Sequence, residues 1–404
     1  MTKKSRERVF MTLKNRRIVL GVTGAISAYK ALELTRLLVK EGAVVWPVMT
    51  KAAKEFISPL SLSTLACHEV AGGLFELAGS SKIGHIELAQ KSDLIIIAPA
   101  TANIMAKAAC GIADDLLSTI ICAAKAPVLF APSMNAQMWA NPVTKGNVEK
   151  LKKLGYLFIG PEKGGLACGY EGEGRLAEPA DILQAAEDAL SKKDLKGEKV
   201  LVSAGPTREA IDPVRFVSNG SSGRMGYALA KQARKRGAEV VLVSGPSYLP
   251  QPKGITFVKV TTAEEMKDAC VRYYPQSTIV IMAAAVSDYR PVKSSPTKMK
   301  KEATALTVEM ERTEDVLQHM GRKKKKGQFL VGFALETDHL VENARKKLVD
   351  KNLDLVIANT TGGLDSELNE VTIISRQTAI EKLPSLRKDE VADLILDRGV
   401  KGKG

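Results

Sequence analysis

The feature of this sequence that most constrains its fold is a pattern that occurs once in each half. An apolar stretch typical of a buried strand, RRIVLGVT in the first half and KVLVSAG in the second, leads into a glycine-containing turn, an amphipathic helix and another apolar stretch. Strands that alternate with helices in this way form an open, mainly parallel sheet with helices on both faces. Because 404 residues exceed what one ordinary core accommodates, the sequence predicts two tandem Rossmann-like α/β domains.

The boundary between these domains is predicted in the segment DILQAAEDALSKKDLKG, which begins as a helix and ends in charged and glycine-containing sequence. We expect a basic N-terminal extension at 1–16, a first domain at 17–190, a linker at 191–197 and a second domain at 198–404. The two halves share a pattern without extended residue identity, so no duplication is implied.

Composition is that of an ordinary globular protein, with 45% hydrophobic and 26% charged residues. Apolar runs such as LIIIAPA are far shorter than the ~20 residues of a membrane helix, and the first residues lack a signal-peptide pattern. The short apolar runs predict no membrane contact. The five cysteines follow no metal-binding spacing, so we expect a reduced, cytoplasmic setting. Many of the basic residues behind the net charge of +14 lie in clusters at the N-terminus, at 322–326 and at the C-terminus, which favours solvated basic segments over nucleic-acid binding. Only 5% of residues are aromatic, which gives no support for stacking on bases, and small phosphate-bearing substrates explain the charge equally well.

The turn GVTGAISAYK (21–30) places small and hydroxyl-bearing residues where a strand is followed by a helix. The N–H groups and dipole of a helix N-terminus favour a phosphate there, and Thr23 and Ser27 add hydroxyl donors. The turn lacks GxGxxG spacing, so a mononucleotide such as FMN fits better than NAD. A plain tight turn is the alternative interpretation.

A second strand ends in APATANIMAK (98–107), and a third, VMT, ends at Thr50. Ligands of open sheets bind beyond the carboxyl ends of the strands, so these ends together indicate a cofactor crevice. Taken alone, Thr101 and Asn103 would be ordinary helix caps.

Three further motifs surround this predicted crevice. His85 in SKIGHIELAQ is by itself typical of a capping or surface histidine, and PSMNAQMW (132–139) is typical of a packed loop. The segment GGLACGYEGEGRLAEP (164–179) sets a cysteine among glycines, which predicts a mobile flap that presents Cys168.

Together these motifs resemble the flavin-containing cysteine decarboxylases, and among them the phosphopantothenoylcysteine decarboxylases, over nearly all of 17–180. The resemblance implies that His85 is the active-site base, that Asn135 holds the substrate carboxylate and amide, and that Cys168 is the flap proton donor. It also implies a homo-oligomer, since this family builds its flavin site between subunits. The residues that it implies for FMN are Thr23, Gly24, Ser27, Thr50, Thr101, Ala102 and Asn103.

In the second half, SAGPTREAIDPVRFVSNGSSGRMGYALAKQ (203–232) is rich in turn formers and hydroxyls. Its glycines bring backbone N–H groups close to an anion, and Arg208, Arg215 and Asn219 can grip phosphate or carboxylate. The alternative, a long structured loop, leaves these charges unexplained.

The stretch TIVIMAAAVSDYRP (278–291) predicts a strand that ends in Asp288. This carboxylate would hold a ribose hydroxyl or a magnesium ion, or is an ordinary turn aspartate. Lys298, Lys300 and Lys301 in PTKMKK would elsewhere be a solvated run, but after this loop they can neutralise a triphosphate.

Residues 198–375 resemble the phosphopantothenate–cysteine ligases through AGPTRE, DPVRF, AAAVSDYRP, KMKK and GFALET. The resemblance implies the substrates 4'-phosphopantothenate, cysteine and CTP, with Mg²⁺ bridging the phosphates. Arg215 and Asn219 would act on an acyl-cytidylate intermediate, and Lys298 would assist its formation. The residues implied around CTP are Asp288, Lys298, Phe333, Lys347 and Lys351.

Some positions depart from the usual ligase pattern. Gly220 stands where histidine is frequent, Ser287 replaces an alanine, and RTED (312–315) replaces a stretch usually written KNPD. The last departure leaves open what contacts the nucleotide near Glu314 and Asp315.

The two resemblances predict CTP-dependent condensation of 4'-phosphopantothenate with cysteine, followed by FMN-dependent decarboxylation. One alternative is a flavin prenyltransferase or general FMN oxidoreductase, against which Cys168 and PSMN argue. The other is a non-catalytic flavin-binding regulatory subunit, which the intact His85, Asn135, Cys168 and Lys298 disfavour.

Overall fold

The structure is a computed structural model that describes residues 13–71, 85–165, 171–299, 306–335, 338–359, 366, 368–376 and 380–402. The chain divides into two compact units, Met1–Ser191 (unit 1) and Lys192–Gly404 (unit 2). Across the described ranges, no helix has both the length and the apolar character needed to cross a membrane.

Unit 1 alternates strands and helices along most of its length. Its strands are β1 (Arg17–Val22), β2 (Val44–Met49), β3 (Leu94–Ala100), β4 (Val128–Pro132), β5 (Leu157–Phe158), β6 (Glu162–Gly165) and β7 (Glu171–Arg175). Its helices are α1 (Lys30–Lys40), α2 (Pro59–Ala66), α3 (His85–Lys91), α4 (Ala102–Cys110), α5 (Leu116–Cys122), α6 (Ala136–Ala140), α7 (Pro142–Lys153) and α8 (Pro179–Leu190).

The first five strands form one parallel sheet in the order β2-β1-β3-β4-β5. The chain runs outward from β1 to β2 and then returns to place β3 on the other side of β1. In doubly wound sheets of this order the reversal point between β1 and β3 opens a crevice at the carboxyl ends of the strands, where ligands bind. The remaining strands, β6 and β7, form a separate antiparallel hairpin.

Both faces of this sheet are covered. All seven residues of β3 are buried, as expected of a strand packed on two sides. Helices α1, α2 and α8 cover one face, where Leu34 and Leu38 of α1 lie one turn apart and are fully buried. Helices α3, α4, α5 and α7 cover the other face around Phe130.

Unit 2 repeats the architecture with a larger sheet. Its strands are β8 (Lys199–Ala204), β9 (Arg208–Ala210), β10 (Phe216–Ser218), β11 (Glu239–Ser244), β12 (Thr256–Lys259), β13 (Ile279–Met282), β14 (Tyr289–Pro291), β15 (Met310–Arg312), β16 (Phe329–Leu335), β17 (Leu355–Asn359), β18 (Leu368–Asn369), β19 (Val371–Ser375), β20 (Glu381–Lys382) and β21 (Leu386–Arg387). Its helices are α9 (Arg224–Lys235), α10 (Ala263–Tyr273), α11 (Val316–Arg322), α12 (Leu340–Asp350) and α13 (Lys388–Lys401).

The main sheet has eight strands in the order β12-β11-β8-β13-β16-β17-β19-β20. The first six of these are parallel, and β19 and β20 add an antiparallel edge. Helices α9 and α13 pack on one face, and α10, α11 and α12 pack on the other. Short antiparallel pairs, among them β9 with β10 and β14 with β15, lie outside the main sheet.

The prediction of two open, mainly parallel sheets with helices on both faces is confirmed. The prediction that the strand in 278–291 ends in Asp288 is wrong, because β13 ends at Met282. Beyond it the backbone turns aside, and Ala285 pairs with Pro206 in an isolated bridge. Asp288 therefore lies in the loop between β13 and β14 rather than at the end of a strand.

Candidate active sites

Thr23 lies at the reversal point of the unit 1 sheet, directly after β1. Its buried hydroxyl donates to the carbonyl oxygen of Pro99 at 2.7 Å and accepts from the backbone N–H of Thr101 at 3.2 Å. The side chain therefore ties the ends of β1 and β3 together. Its proton is committed to the protein, so Thr23 shapes the crevice instead of offering a hydroxyl donor to a ligand.

A cavity of about 740 Å³ opens at this edge of the sheet. Four residues predicted from the sequence line it: Gly24, Ser27, Thr101 and Asn135. Other residues in its wall are Ala25, Ile26, Tyr29, Lys30, Phe56, Ser133, Met134, Met138, Gly165, Gly174, Arg175 and Leu176. Thr50, Ala102 and Asn103 are outside that lining, and Thr50 instead caps the 3-10 turn Lys51–Glu55 by accepting from Ala53 N at 3.3 Å.

The first wall of the cavity is the turn after β1. A Cβ atom on Gly24 would lie 2.5 Å from the Cβ of Ala52, so only glycine allows the turn to pack this closely against the 3-10 turn after β2. Ser27 donates its hydroxyl to Ser133 Oγ at 2.7 Å, and both serines are buried. Sequence reasoning missed Ser133, although it stands within PSMN.

The second wall is the loop between β4 and α6. Asn135 caps α6, and its Oδ1 accepts from Gln137 N at 2.8 Å. Met134 N donates to Gly174 O at 3.0 Å, and a Cβ atom on Gly174 would lie 2.2 Å from Met134 O. Gly174 has φ +149°, so β7 packs directly on this loop at a position that excludes a side chain.

Two cations at the cavity were not predicted. Lys30 Nζ donates to both carboxylate oxygens of Glu178, at 3.0 and 3.1 Å, and Arg175 contacts the same carboxylate. The hydrogen bond from Lys30 lowers the pKa of Glu178 below its ordinary value. Two cations share one carboxylate here, so this side of the cavity keeps a positive balance that suits an anionic ligand.

Two predicted catalytic residues cannot be placed beside this cavity. His85 begins α3, but its side chain is outside the described part of the chain. Cys168 also lies outside the described residues.

In unit 2, three glycines meet at the carboxyl ends of β8 and β11. Gly223 precedes α9 with φ +79°, and a Cβ on it would lie 3.1 Å from Gly205 N. A Cβ on Gly245 would lie 1.9 Å from Pro206 O. The N-terminus of α9 therefore lies at the carboxyl ends of β8 and β11, and a helix N-terminus favours an anion.

Arg215 and the loop that bears Lys298 are joined through Asp212. Arg215 donates to Asp212 Oδ2 from Nε at 2.9 Å and from Nη2 at 2.5 Å, and Met299 N donates to the same oxygen at 3.2 Å. The hydrogen bonds from Arg215 hold the pKa of buried Asp212 well below its ordinary value. Arg215 remains 42% exposed, so its guanidinium stays accessible beside Lys298, whose side chain is exposed.

The predicted residues Asn219 and Asp288 belong to a second set of contacts around the loop after β13. Asn219 Nδ2 donates to Ala285 O at 3.2 Å and to Val286 O at 3.0 Å. Thr313 N donates to Asp288 O at 3.0 Å, which ties this loop to the RTED segment.

Phe333, Lys347 and Lys351 come together at the end of β16 and along α12. Lys347 Nζ donates to Phe333 O at 2.7 Å, and Lys351 Nζ donates to Asp315 Oδ2 at 2.5 Å. Partial burial raises the pKa of Asp315, but hydrogen bonds from Lys351 and Gln318 N outweigh it and leave the pKa below its ordinary value. Although RTED (312–315) departs from the usual KNPD, it keeps the final acid, Asp315. This carboxylate contacts Lys351, one of the lysines predicted to bind the nucleotide.

Within the residues that the structure covers, no three metal-binding side chains cluster. Lys300 and Lys301 lie outside those residues.

The chain matches two family models. Residues 7–191 match the family described as "Flavoprotein", and residues 195–401 match "DNA/pantothenate metabolism flavoprotein C-terminal domain".

Curated relatives match along nearly the full length. The "Coenzyme A biosynthesis bifunctional protein CoaBC" of Bacillus subtilis (strain 168) is 47% identical over 392 residues, which cover 95% of this chain and 96% of that protein. The protein of the same name from Escherichia coli (strain K12) is 44% identical over 395 residues, 96% of this chain and 97% of that protein. A crystal structure of the C-terminal domain of such a protein is 42% identical with a TM-score of 0.46, and the match covers 52% of this chain and 98% of that one.

Proposed function

This chain belongs to the family of coenzyme A biosynthesis bifunctional proteins, and from that premise we propose how its two units perform the two reactions. It is a bifunctional enzyme that joins a phosphopantothenoylcysteine decarboxylase to a phosphopantothenate–cysteine ligase. Neither the prenyltransferase nor the regulatory-subunit alternative fits this family. We propose that the decarboxylase occupies 17–190 and the ligase 198–404, with an extension at 1–16 and a linker at 191–197. The two family matches, at 7–191 and 195–401, support the order of the two domains.

We propose that the unit 1 cavity binds FMN. Its volume of about 740 Å³ lies in the ordinary range for ligand sites of roughly 300–1,000 Å³. Ile26, Phe56 and Met138 give it an apolar wall, and it opens at the β1/β3 reversal point, where doubly wound sheets of this order bind FMN. The match to the flavoprotein family supports the same assignment.

When bound, FMN supplies a two-electron oxidant whose reduction is reversed within the cycle, so no external reductant is required. We propose that Asn135 holds the substrate carboxylate from the loop after β4. Lys30 and Arg175 lie in the same wall and would attract the substrate phosphate. His85 would act as the base and Cys168 would return a proton to the product, as the resemblance to the cysteine decarboxylases implies.

For unit 2 we propose CTP as the activating substrate. A carboxylate oxygen of 4'-phosphopantothenate attacks the α-phosphorus, the bond to the bridging oxygen breaks, and pyrophosphate leaves. The cysteine amine then attacks the acyl carbon and displaces CMP. Lys298 would stabilise the charge that develops on phosphorus in the first step, and Arg215 and Asn219 would hold the acyl-cytidylate for the second.

The remaining proposed contacts to CTP are Asp288, Phe333, Lys347 and Lys351. Mg²⁺ commonly binds through one or two carboxylates together with substrate phosphates. The exposed Asp288 carboxylate fits that donor set, so we propose that Asp288 would help to hold Mg²⁺ when CTP is bound.

We further propose that the enzyme is a homo-oligomer. Three exposed apolar side chains, Ile26, Tyr29 and Phe56, lie in the wall of the unit 1 cavity. Contiguous apolar surface of this kind marks protein interfaces more often than free surface. Sedimentation of the flavin-loaded protein as a monomer would contradict the proposal.

The observation that carries the FMN proposal is the cavity at the strand ends tied by Thr23. The test is to purify the protein, release its flavin with acid and weigh it by mass spectrometry. We expect FMN at one equivalent per chain. A colourless protein that does not retain added FMN would overturn the assignment. For unit 2, pyrophosphate release should depend on CTP, and equal rates with ATP would contradict the nucleotide assignment.

A further inference from the structure

The RTED segment is held from behind by an ion-pair network that involves Glu314. Lys267 Nζ of α10 donates to Glu314 Oε2 at 3.0 Å, and His319 Nδ1 of α11 lies 2.9 Å from Glu314 Oε1. The two carboxylate oxygens of Glu314 therefore contact one helix each. Glu314 thus fixes the segment between β15 and α11 against both α10 and α11.

The residues on either side of Glu314 contact the proposed nucleotide site. Thr313 donates its hydroxyl to Ser287 O at 2.5 Å and its backbone N–H to Asp288 O at 3.0 Å. Asp315 accepts from Lys351 at 2.5 Å. A shift of the segment would therefore move both the peptide that bears Asp288 and the carboxylate that orients Lys351.

We propose that Glu314 is a positioning residue for nucleotide binding in the ligase, and that Lys267 and His319 hold it in place. This inference rests on the proposed CTP site. Glu314 acts through Thr313 and Asp315, which set the positions of Asp288 and Lys351.

The charges around Glu314 agree with this role. Hydrogen bonds from Lys267 and then from His319 lower the pKa of Glu314, so it is anionic at neutral pH. Lys267 also lies 3.8 Å from Asp268, a weaker contact than its 3.0 Å bond to Glu314. Arg290 of β14 forms ion pairs with Glu264 of α10 and with Glu311 of β15. These ion pairs tie the β14–β15 hairpin to α10, the helix that bears Lys267.

The test compares steady-state pyrophosphate release by the full-length enzyme and two single variants. Glu314→Gln and Lys267→Met should each raise the KM for CTP by about two- to fivefold, as loss of a partly exposed charged contact implies. The kcat should change less than the KM, because neither side chain touches the reacting atoms. A double variant with Glu314→Lys and Lys267→Glu again has opposite charges at the two positions, so it should recover part of the affinity for CTP that the single variants lose.

A matched control is the ion pair of Glu370 with Lys382, which spans 2.9 Å on the antiparallel edge of the same sheet. Glu370 is 55% exposed and Glu314 is 54% exposed, so the two carboxylates are equally accessible. Glu370→Gln should leave the KM for CTP unchanged. Decarboxylation of supplied 4'-phosphopantothenoylcysteine should stay constant in every variant and reports an intact unit 1.

Asp288→Asn separates the two hypotheses. If it raises the KM for CTP while Glu314→Gln behaves like Glu370→Gln, the positioning role is wrong and the proposed site stands. If Asp288→Asn also leaves the KM unchanged, CTP does not use this loop, and both the site and the positioning role are overturned.

Discussion

Replacing Thr23 by valine should loosen the strand ends that form the proposed flavin crevice. Valine keeps the shape of threonine but has no hydroxyl. The change removes the 2.7 Å bond to Pro99 O and the 3.2 Å bond from Thr101 N. Thr23 is only 2% exposed and Pro99 is buried, so water cannot easily replace either bond.

The magnitude follows from the groups left without partners. A buried polar group that loses its hydrogen bond costs about 1–3 kcal/mol. The buried Pro99 carbonyl would bear this full cost, whereas the half-buried Thr101 N–H can be partly hydrated and would bear less of it. We expect Thr23→Val to lower the free energy of unfolding of unit 1 by about 2–4 kcal/mol. Thr23→Ser keeps both hydrogen bonds and loses one methyl group, so it should cost about 1 kcal/mol.

The assay is urea unfolding of the intact protein, followed by flavin fluorescence for unit 1 and by circular dichroism for the whole chain. The Val variant should release flavin at a lower urea concentration than the Ser variant. Equal midpoints for the two variants would show that the hydroxyl does not hold the strands together, and would refute this reasoning.

Three other perturbations have defined outcomes. Gly174→Ala should slow decarboxylation by at least about tenfold while pyrophosphate release is retained. The reason is that a Cβ at position 174 would lie 2.2 Å from Met134 O, at a φ that favours glycine. An unchanged rate of decarboxylation would contradict this packing. Arg236→Met should destabilise unit 2 by about 2 kcal/mol in urea unfolding. Arg236 is 4% exposed, and its ion pairs include one with Asp194 at 2.7 Å. A stability equal to that of the parent protein would show that these ion pairs do not stabilise the unit. Arg215→Met should raise the lowered pKa of Asp212. The parent protein loses stability as the pH falls below about 4, because the Asp212 carboxylate is then protonated more readily in the unfolded than in the folded chain. The variant should be less stable than the parent at pH 7 and should lose less stability between pH 7 and pH 3.

The sequence predicted the sheets well because their strands are buried on both faces. A run such as LIIIAPA admits few alternatives to a central parallel strand, and the glycine turns locate the strand ends. The same reasoning pointed to the strand ends that bear Ser27 and Thr101, and both line one cavity together with Gly24 and with Asn135, whose role only the resemblance to the cysteine decarboxylases implied.

The errors lie where long-range contacts override local pattern. TIVIMAAAVSDYRP continues as an apolar run, but the chain after Met282 leaves the sheet. There Ala285 N donates to Gly205 O, Ala285 O accepts from Thr207 N, and Ser287 N donates to Thr207 Oγ1, about eighty residues earlier. Lys30 is the last residue of the motif GVTGAISAYK, yet nothing local distinguishes it from a surface lysine. Its partner Glu178 is 148 residues away in sequence.

The contacts of Glu314 were equally hidden. The departure from KNPD was visible in the sequence, but the two helices that hold Glu314 become neighbours only in the folded unit. A residue that replaces the usual pattern is therefore interpretable only once its partners are known.

The central claim is that two separate crevices perform successive steps, and mixing two inactivated variants tests it most directly. Supplied with 4'-phosphopantothenate, cysteine and CTP, Asn135→Ala should release pyrophosphate and accumulate 4'-phosphopantothenoylcysteine, whereas Lys298→Gln should release little pyrophosphate. An equimolar mixture should produce carbon dioxide and 4'-phosphopantetheine. If Asn135→Ala releases no pyrophosphate, if Lys298→Gln fails to decarboxylate supplied 4'-phosphopantothenoylcysteine, or if the mixture yields no carbon dioxide, the division of the two reactions between these crevices is contradicted.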